Sequence, residues 1–342
     1  HRVAPTKLKG AKQIMNSSYE LSRRSLLQGA AGLMLSSAVQ AGPKAETPPA
    51  QSKSWIVACR DGHLKATGKP DSWSAMKEIG VTGVEVEVDP ALACPALYAP
   101  NETYSLATAS GIAALKDKLA GQGLVVTGFL MHNRFDERLD EEIEWTRKLV
   151  KAAGALDVKV IRIDIVSRRT KGEEFHAFAA KLCKQLCTIT DGTSVRYGIE
   201  NHGSVTNDPQ FLQRLFDTVD SPYLGLTLDT ANFYWYGHPL DELYKNFERF
   251  APKVFHTHCK SIRYPEDKKN VRRPMGWEYG KYACPIYEGD IDFRKVAAIL
   301  RKAGYSGALC LEDESLDKFP EAEQVEVLKK EIAMLKNLRE AS

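Results

Sequence analysis

Eight short apolar runs, each followed by a longer amphipathic segment, are the feature that most constrains the fold of this chain. The runs, in chain order, are WIVAC, GVEVEV, LVVTGFL, VKVIRIDIV, RYGIEN, LGLTLDT, VFHTHC and GALCLED. Apolar residues with helical spacing lie between them, for example in 138–153 and 293–303. Eight strand-helix units over about 290 residues match the length and rhythm of a (β/α)8 barrel. We therefore predict a single-domain α/β protein, a (β/α)8 TIM barrel over residues 54–342.

An open, doubly wound α/β sheet is the alternative architecture for such a pattern. Its phosphate-binding loop, G-x-G-x-x-G, would follow the first strand, and the sequence has no such motif there. The barrel is therefore favoured, and nothing in the sequence points to a nucleotide, haem or flavin cofactor.

The first 41 residues have a different composition from the rest of the chain. Arg23 and Arg24 lie in SRRSLL, ahead of an apolar, Gly- and Ala-rich run at 29–39 that is too short to span a bilayer. This pattern resembles a twin-arginine export signal. Residues 1–41 are predicted to be a cleaved signal peptide and the Pro-rich segment 42–53 a linker, which places the mature protein in the periplasm or otherwise outside the cytoplasm. A basic N-terminus and a short membrane anchor are the alternatives.

Charge and cysteine content exclude several classes of partner and site. The net charge of the sequence is +3, and without residues 1–41 it falls to about −2. A nearly neutral mature chain has no overall electrostatic attraction to nucleic acid or to an anionic membrane, so neither is expected as a partner. Seven cysteines without CxxC spacing disfavour a zinc finger and a disulfide scaffold. One oxidised pair, Cys94 with Cys284, stays open as an alternative.

Acidic residues and histidines recur at the ends of the predicted strands. In a (β/α)8 barrel the carboxyl ends of the strands form the active-site face. One such group alone is most often an ion-pair or helix-capping residue, but many at one face would repel each other unless a positive centre gathers them. The residues in question are Glu85, Glu87, His132, Asp164, Glu200, His202, Asp229, His256, His258 and Glu312.

A divalent metal ion is the simplest such centre. Three carboxylates and one imidazole from the fifth to eighth strands supply a hard, oxygen-rich ligand set, formed by Glu200, Asp229, His258 and Glu312. Such a set suits Mn²⁺ or Mg²⁺, with Zn²⁺ and Co²⁺ as alternatives. Side chains two apart lie on the same side of a strand. We take His258 as the ligand because it is nearer the barrel mouth, and His256 as its neighbour or a substrate contact.

The same segments carry a family resemblance along the whole mature chain. They are GVEVE, IENHG, LGLTLDTAN, FHTHCKSI and YEGDIDFRKVAAILRKAGYSGALCLE. In this order they resemble the xylose isomerase-like TIM barrel superfamily, in its sugar phosphate isomerase/epimerase branch. The resemblance implies one metal ion held by Glu200, Asp229, His258 and Glu312. It also implies that Glu200 and Glu312 are the catalytic residues, which move a proton at opposite faces of a bound keto-sugar through an enediolate. Asn232 and Ser261 depart from residues common in relatives, a histidine and an acid.

A small carbohydrate is the expected substrate. The residues predicted to contact it are His132, His202, Asn232, His256, Lys260 and Arg263. For Lys260 and Arg263 a solvated ion pair at the barrel rim is the alternative. The long segment 264–286 is aromatic and basic, and we predict that it covers the substrate. A contact in a homo-oligomer is its plainer alternative.

Three other functions remain compatible with these residues. A lyase or dehydratase would use the same enediolate to expel a β-substituent from a keto-sugar or keto-glycoside. An endonuclease IV-like phosphodiesterase shares the barrel, but it needs three zinc ions and further histidines, one of them at the position of Asn232. A carbohydrate-binding protein without activity would bind metal and sugar only.

Overall fold

The structure is a computed structural model and describes residues 55–340, without the side chain of residue 340. The predicted signal peptide at 1–41 and the predicted linker at 42–53 lie outside the described residues. Among residues 55–340, no helix has both the length and the apolar character that crossing a bilayer requires. All seven cysteines are free thiols.

Eight parallel strands close into a barrel, which confirms the predicted fold. The eight strands are β1 (Ile56–Arg60), β2 (Gly83–Glu87), β3 (Val125–Leu130), β4 (Val160–Ile163), β5 (Arg196–Glu200), β6 (Leu224–Asp229), β7 (Val254–Cys259) and β10 (Ala308–Leu311). Their order around the barrel is β1, β10, β7, β6, β5, β4, β3, β2, and each strand is hydrogen-bonded to its neighbours in this order. Each lies within one of the eight apolar runs or extends one residue beyond it.

Helices separate the strands, and the longer ones cover the outside of the barrel. They are α1 (Ser72–Ile79), α2 (Ala109–Gln122), α3 (Leu139–Ala155), α4 (Gly172–Thr190), α5 (Pro209–Val219), α6 (Asn232–Trp235), α7 (Leu240–Phe250), α8 (Glu266–Lys269), α9 (Tyr279–Tyr282), α10 (Phe293–Lys302) and α11 (Glu321–Glu340). Short 3₁₀ helices occupy Asp61–Thr67, Ala251–Lys253 and Leu316–Lys318.

Local sequence fixes several helix ends. The Asp71 side chain accepts a hydrogen bond from the Ser74 backbone N–H at 2.7 Å, which starts α1. Asp292 does the same for α10 through the Arg294 N–H at 2.9 Å. α1 stops at Gly80, whose φ of 76° lies in the left-handed region that glycine adopts without a Cβ clash.

The core lies in two places. Most apolar side chains pack between the strands and the surrounding helices, as Phe175, Leu182 and Leu186 of α4 do. A small second cluster of Ala58, Ala308 and Cys310 is formed by β1 and β10. Small side chains here leave room inside the barrel for the large polar side chains near the strand ends.

The segment after β7 is more structured than a simple covering loop. A two-stranded antiparallel ribbon, β8 (Ser261–Ile262) with β9 (Ala283–Cys284), ties its two ends together. Inside it, the Arg273 guanidinium lies 4.4 Å from the ring centroid of Tyr234 and 4.3 Å from that of Tyr264. These contacts anchor the segment to the loop after β6.

Candidate metal centre

Four polar side chains converge at the carboxyl ends of four neighbouring strands. Glu200 ends β5, Asp229 ends β6, His258 is the last but one residue of β7, and Glu312 directly follows β10. One ligand atom from each of them lies within 4.8 Å of the others. All four residues are buried, with at most 4% of their surface exposed. The structure therefore brings together the four residues that the strand ends predicted.

Three buried polar atoms of this cluster that make no hydrogen bond to any described residue fit a bound cation. Asp229 Oδ2, His258 Nδ1 and Glu312 Oε2 make no hydrogen bond within the described part of the chain. The other carboxylate oxygen of Asp229 accepts backbone N–H groups of Ala231 and Asn232, both at 2.8 Å. Burying polar atoms without hydrogen bonds is costly, and although Lys260 lies near the two carboxylate oxygens, a divalent cation would give all three atoms a partner at once. Three carboxylates and one imidazole are suitable donors for such an ion.

Lys260 already brings one positive charge into the cluster. Its ammonium lies 2.9 Å from Asp229 Oδ2, 3.3 Å from Glu312 Oε2 and 3.2 Å from Glu314 Oε1. Burial opposes the charged form, but the carboxylates of Asp229 and Glu312 outweigh it and hold the pKa of Lys260 well above its ordinary value. The structure thus places this predicted substrate contact directly between two proposed metal ligands.

Two arginines hold the outer oxygens of the two glutamates. Arg162 of β4 binds Glu200 Oε2 and also Asp164 Oδ2, the latter at 2.8 Å. Arg60 of β1 binds Glu312 Oε1. The inner oxygens, Glu200 Oε1 and Glu312 Oε2, lie 3.6 and 3.2 Å from His258 Nδ1. Each glutamate therefore offers one oxygen to the cluster while the other is occupied.

These contacts favour the ionised form of both glutamates. Burial opposes ionisation, but Arg162 and His258 hold the pKa of Glu200 below its ordinary value. Lys260, His258 and Arg60 outweigh burial in the same way and hold the pKa of Glu312 well below its ordinary value. Neither arginine was predicted from the sequence. A basic residue inside or at the end of an apolar run, as in VIRIDIV and IVACR, is the signal that marks them.

Glu85 joins the two histidines of β7 into a second buried group. Its carboxylate Oε2 lies 2.8 Å from His258 Nε2, and its Oε1 lies 3.2 Å from His256 Nε2. His256 is 1% exposed, so it contacts Glu85 inside the barrel and does not line the open mouth. Glu85 was visible in the sequence as a strand-end acid, but its contact with β7 was not predictable.

The remaining predicted substrate contacts lie in different places. His132 and His202 are about half exposed, with Nδ1 of each 3.9 and 3.0 Å from the two oxygens of Asp164. Asn232 is buried and donates its amide to Glu200 Oε1 at 3.0 Å. Arg263 is exposed and lines a separate cavity of about 460 Å³, which contains none of the four cluster residues. The structure therefore does not bring Arg263 into the cluster.

Comparisons with known proteins agree with this fold. The sequence profile of a family described as xylose isomerase-like TIM barrel matches residues 73–338. Inosose dehydratase of Clostridium perfringens is 28% identical over 117 residues, which cover 33% of this chain and only 38% of that protein.

Solved structures match over nearly their whole length, at low sequence identity. The IolI protein with bound zinc superposes with a TM-score of 0.63 at 16% identity, over 82% of this chain and 97% of the other. Escherichia coli 3-keto-D-glucoside 4-epimerase gives 0.57 at 14% identity, over 83% and 99%. At these identities the structural matches establish the fold and no more.

Proposed function

Because this chain belongs to the xylose isomerase-like TIM barrel family, we propose that it is a metal-dependent enzyme that isomerises or epimerises a keto-sugar or sugar derivative. One observation carries this proposal: ligand atoms of Glu200, Asp229, His258 and Glu312 lie within 4.8 Å of one another at the barrel mouth. A bound divalent cation there would supply positive charge for the two neighbouring oxygens of an enediolate.

Glu200 and Glu312 are the proposed acid and base. A general base must be deprotonated before it acts, and the contacts with Arg162 and Arg60 keep both carboxylates ionised. The same contacts make each glutamate a weak base, so the reaction depends on a C–H bond that is acidified by a neighbouring carbonyl. The two glutamates come from β5 and β10, on either side of His258. The carboxylate that removes the proton can return it to the neighbouring carbon, which gives isomerisation. Epimerisation requires in addition that the second glutamate has taken up a proton from water, which it then donates to the opposite face.

Substrate recognition is assigned to the polar groups around the opening. His132 and His202 present half-exposed rings there, and the hydrogen bond to Asp164 orients the ring of His202. Lys260 can donate to a substrate oxygen once its contact with Glu314, whose side chain is 44% exposed, is released. Hydroxyl groups of a small carbohydrate suit these donors and acceptors.

Elimination is the second candidate reaction, and His202 is the residue that favours it. The hydrogen bond to Asp164 raises the pKa of His202, so its imidazolium is available to protonate a leaving hydroxyl. The curated relative matched over part of the chain is a dehydratase. Isomerisation, epimerisation and elimination all begin with the same loss of a proton.

The choice of metal also belongs to this proposal. The carboxylate-rich ligand set favours Mn²⁺ or Mg²⁺. The imidazole ligand also suits Zn²⁺ or Co²⁺, and the electron configuration of Zn²⁺ imposes no coordination geometry on its ligands. Each ion should therefore be tested separately after the protein has been stripped with a chelator.

Deuterium exchange tests the reaction. Residues 54–342, loaded with Mn²⁺, are incubated in D₂O with ketoses, keto-glycosides and sugar phosphates, and products are followed by NMR. We expect deuterium at the carbon beside the carbonyl together with an epimer or isomer. A dehydrated product would instead identify the second candidate.

Two variants make the test specific. Glu312→Gln should abolish exchange, since it removes one proposed acid-base group, while Glu144→Gln, on α3 with a side chain 55% exposed, should exchange at the wild-type rate. Sugar binding without exchange by the loaded wild-type protein would refute an enzymatic role. Full exchange by Glu312→Gln would refute the assignment of that residue.

A further inference from the structure

The two ring nitrogens of His258 have different surroundings. Nε2 lies 2.8 Å from Glu85 Oε2, at hydrogen-bond distance. Nδ1 makes no hydrogen bond among the described residues. It faces Glu312 Oε2 at 3.2 Å and Glu200 Oε1 at 3.6 Å. The imidazole therefore has one nitrogen held by a carboxylate and the other turned towards the cluster.

Glu85 reaches His258 across the inside of the barrel. It lies on β2, which is separated from β7 by β1 and β10 in the barrel order. Strand pairing aligns Glu85 with Arg60 on one side and Gly128 on the other. Glu85 and His258 are both fully buried. Because both residues belong to paired strands of a closed barrel, the geometry of their contact is fixed by the fold.

This contact selects one form of the imidazole ring. A carboxylate can only accept hydrogen bonds, so Nε2 keeps its proton, and the neutral ring that binds a metal ion must be the one whose Nδ1 has lost its proton. A neutral imidazole with its proton on Nε2 has its lone pair on Nδ1. Carboxylates that accept the second ring N–H of a metal-binding histidine orient the ring and strengthen it as a ligand.

We propose that Glu85 is a positioning residue that fixes the His258 ring and tautomer, so that Nδ1 is the nitrogen offered to the metal ion. The inference rests on the metal site of the proposed function. It adds a fifth residue, from a strand that supplies no ligand, to the groups on which metal affinity depends. Glu85 does not itself touch the metal or the substrate.

A second metal ion is the competing interpretation of the same residues. Ligand atoms of Glu85, His256 and His258 also lie within 4.8 Å of one another. In that case Glu85 would be a ligand, His258 would bridge two ions, and the protein would bind two equivalents of metal. The Arg60 Nε atom, 3.7 Å from Glu85 Oε2, adds positive charge there and favours the positioning role.

Metal titration of a matched pair of variants tests the proposal. Glu85→Gln removes the charge at nearly constant volume. Glu331→Gln is the control, since Glu331 is also fully buried but lies on α11, where it accepts the Ile286 N–H at 2.9 Å. Affinity for Zn²⁺ and Mn²⁺ is measured by competition with a chelator, and folding is checked by circular dichroism. We expect Glu85→Gln to bind metal 10- to 100-fold more weakly, with one equivalent in the wild type, and Glu331→Gln to bind like the wild type.

A spectroscopic measurement on the unaltered protein keeps the test independent of how Glu85→Gln folds. In histidine-labelled protein loaded with ¹¹³Cd²⁺, the ¹⁵N spectrum should show cadmium coupling to Nδ1 of His258 and a proton on Nε2. Coupling to Nε2, unchanged affinity in Glu85→Gln, or two bound equivalents in the wild type of which Glu85→Gln loses one would each overturn the proposal. If the wild type bound no metal, both the role of Glu85 and the proposed function would be overturned. Metal binding without sugar turnover would overturn only the proposed function.

Discussion

At the scale of single residues, Asp229 shows how burial and neighbouring acids oppose the ionised form of a carboxyl group. It is fully buried, and its neighbours Glu312 and Glu200 carry the same charge. Burial is the largest effect, and with these repulsions it raises the pKa of Asp229 to about 7 although Lys260 opposes the shift. Without metal, the folded protein therefore holds a proton that the unfolded chain releases at lower pH.

This shift predicts how stability changes with pH in the metal-free protein. Because the folded-state pKa of Asp229 is raised, its contribution is fully favourable only below its unfolded value and is lost as the pH rises through about 7. Asp229→Asn removes the buried charge but keeps an oxygen for the Ala231 and Asn232 N–H groups. We expect the metal-free variant to be roughly 1–3 kcal/mol more stable than the wild type at pH 8.5, as measured by urea unfolding. The difference should shrink at pH 5.

Added metal should make the wild type more stable than Asp229→Asn. Added Mn²⁺ or Zn²⁺ stabilises whichever folded protein binds it, and Asp229→Asn lacks one ligand. Asp292→Asn serves as the control, because asparagine caps a helix about as well as aspartate. The interpretation fails if metal-free Asp229→Asn is the less stable protein at pH 8.5, or if it keeps the full metal response.

For single residues, the sequence predicted which side chains lie at the strand ends. It did not predict which side chains of different strands contact one another. Glu200, Asp229 and Glu312 each come at the end of an apolar run, so their meeting follows from parallel strands alone. The contacts of Arg162 with Glu200 and of Glu85 with His258 depend on strand register and on the closure of the barrel. Neither property can be read from a single segment of sequence.

Among the elements, the segment between β7 and α10 is held in place by several specific side-chain and backbone contacts. Arg273 is 5% exposed and donates to the backbone carbonyls of Tyr234 and His238, both at 3.0 Å. Gly237 has a φ of 106°, and a Cβ there would lie 2.0 Å from the Arg273 carbonyl oxygen. The loop after β6 and the loop after β7 are therefore built to fit one another.

Replacing this anchor should loosen the segment without unfolding the barrel. Arg273→Lys keeps the charge but loses the flat guanidinium that stacks between two tyrosine rings and donates in several directions. We expect a local loss of about 2–3 kcal/mol, seen as faster hydrogen exchange in 264–282. Arg272→Lys is the matched control, because Arg272 is exposed and stacks on the single ring of Tyr236 at 4.9 Å. Equal exchange in the two variants would show that Arg273 is not the anchor.

The prediction of elements succeeded where periodicity was long enough to detect. The helix expected over 138–153 is Leu139–Ala155, and the one expected over 293–303 is Phe293–Lys302. The segment after β7 was predicted only as a long covering loop, because four-residue helices and two-residue strands contain too few residues to show a period. The ribbon of β8 and β9 also turns the chain away soon after Lys260, and the neighbouring Arg263 lines a different cavity.

At the scale of the whole molecule, the proposed metal site exists only in the folded barrel. Its ligands come from β5, β6, β7 and β10, which pair in that order around the sheet. The unfolded chain would hold these four residues far apart, over 200–312. Metal binding at this site would therefore be coupled to folding, and the metal ion would have to be taken up where the protein folds or after it has folded.

This coupling connects the proposed site to the predicted export signal. The twin-arginine pathway carries folded proteins, so it would deliver a barrel whose metal was bound before export. We predict that the full-length protein with both Arg23 and Arg24 replaced by lysine stays in the cytoplasm of a bacterium that has this pathway. Arg2→Lys, the same exchange outside the pair, should leave export unchanged. Fractionation followed by immunoblotting measures both.

The location of the wild-type protein decides between the signal and its alternatives. A shortened protein in the periplasm, together with retention of the Arg23/Arg24 variant, would support a cleaved twin-arginine signal. Full-length protein in the membrane fraction would favour an anchor, because the run at 29–39 would then remain attached. Wild-type protein found in the cytoplasm would refute both the cleaved signal and the membrane anchor. That result would not affect the barrel or its cluster of acids, because the strands that carry the proposed ligands begin only at residue 196.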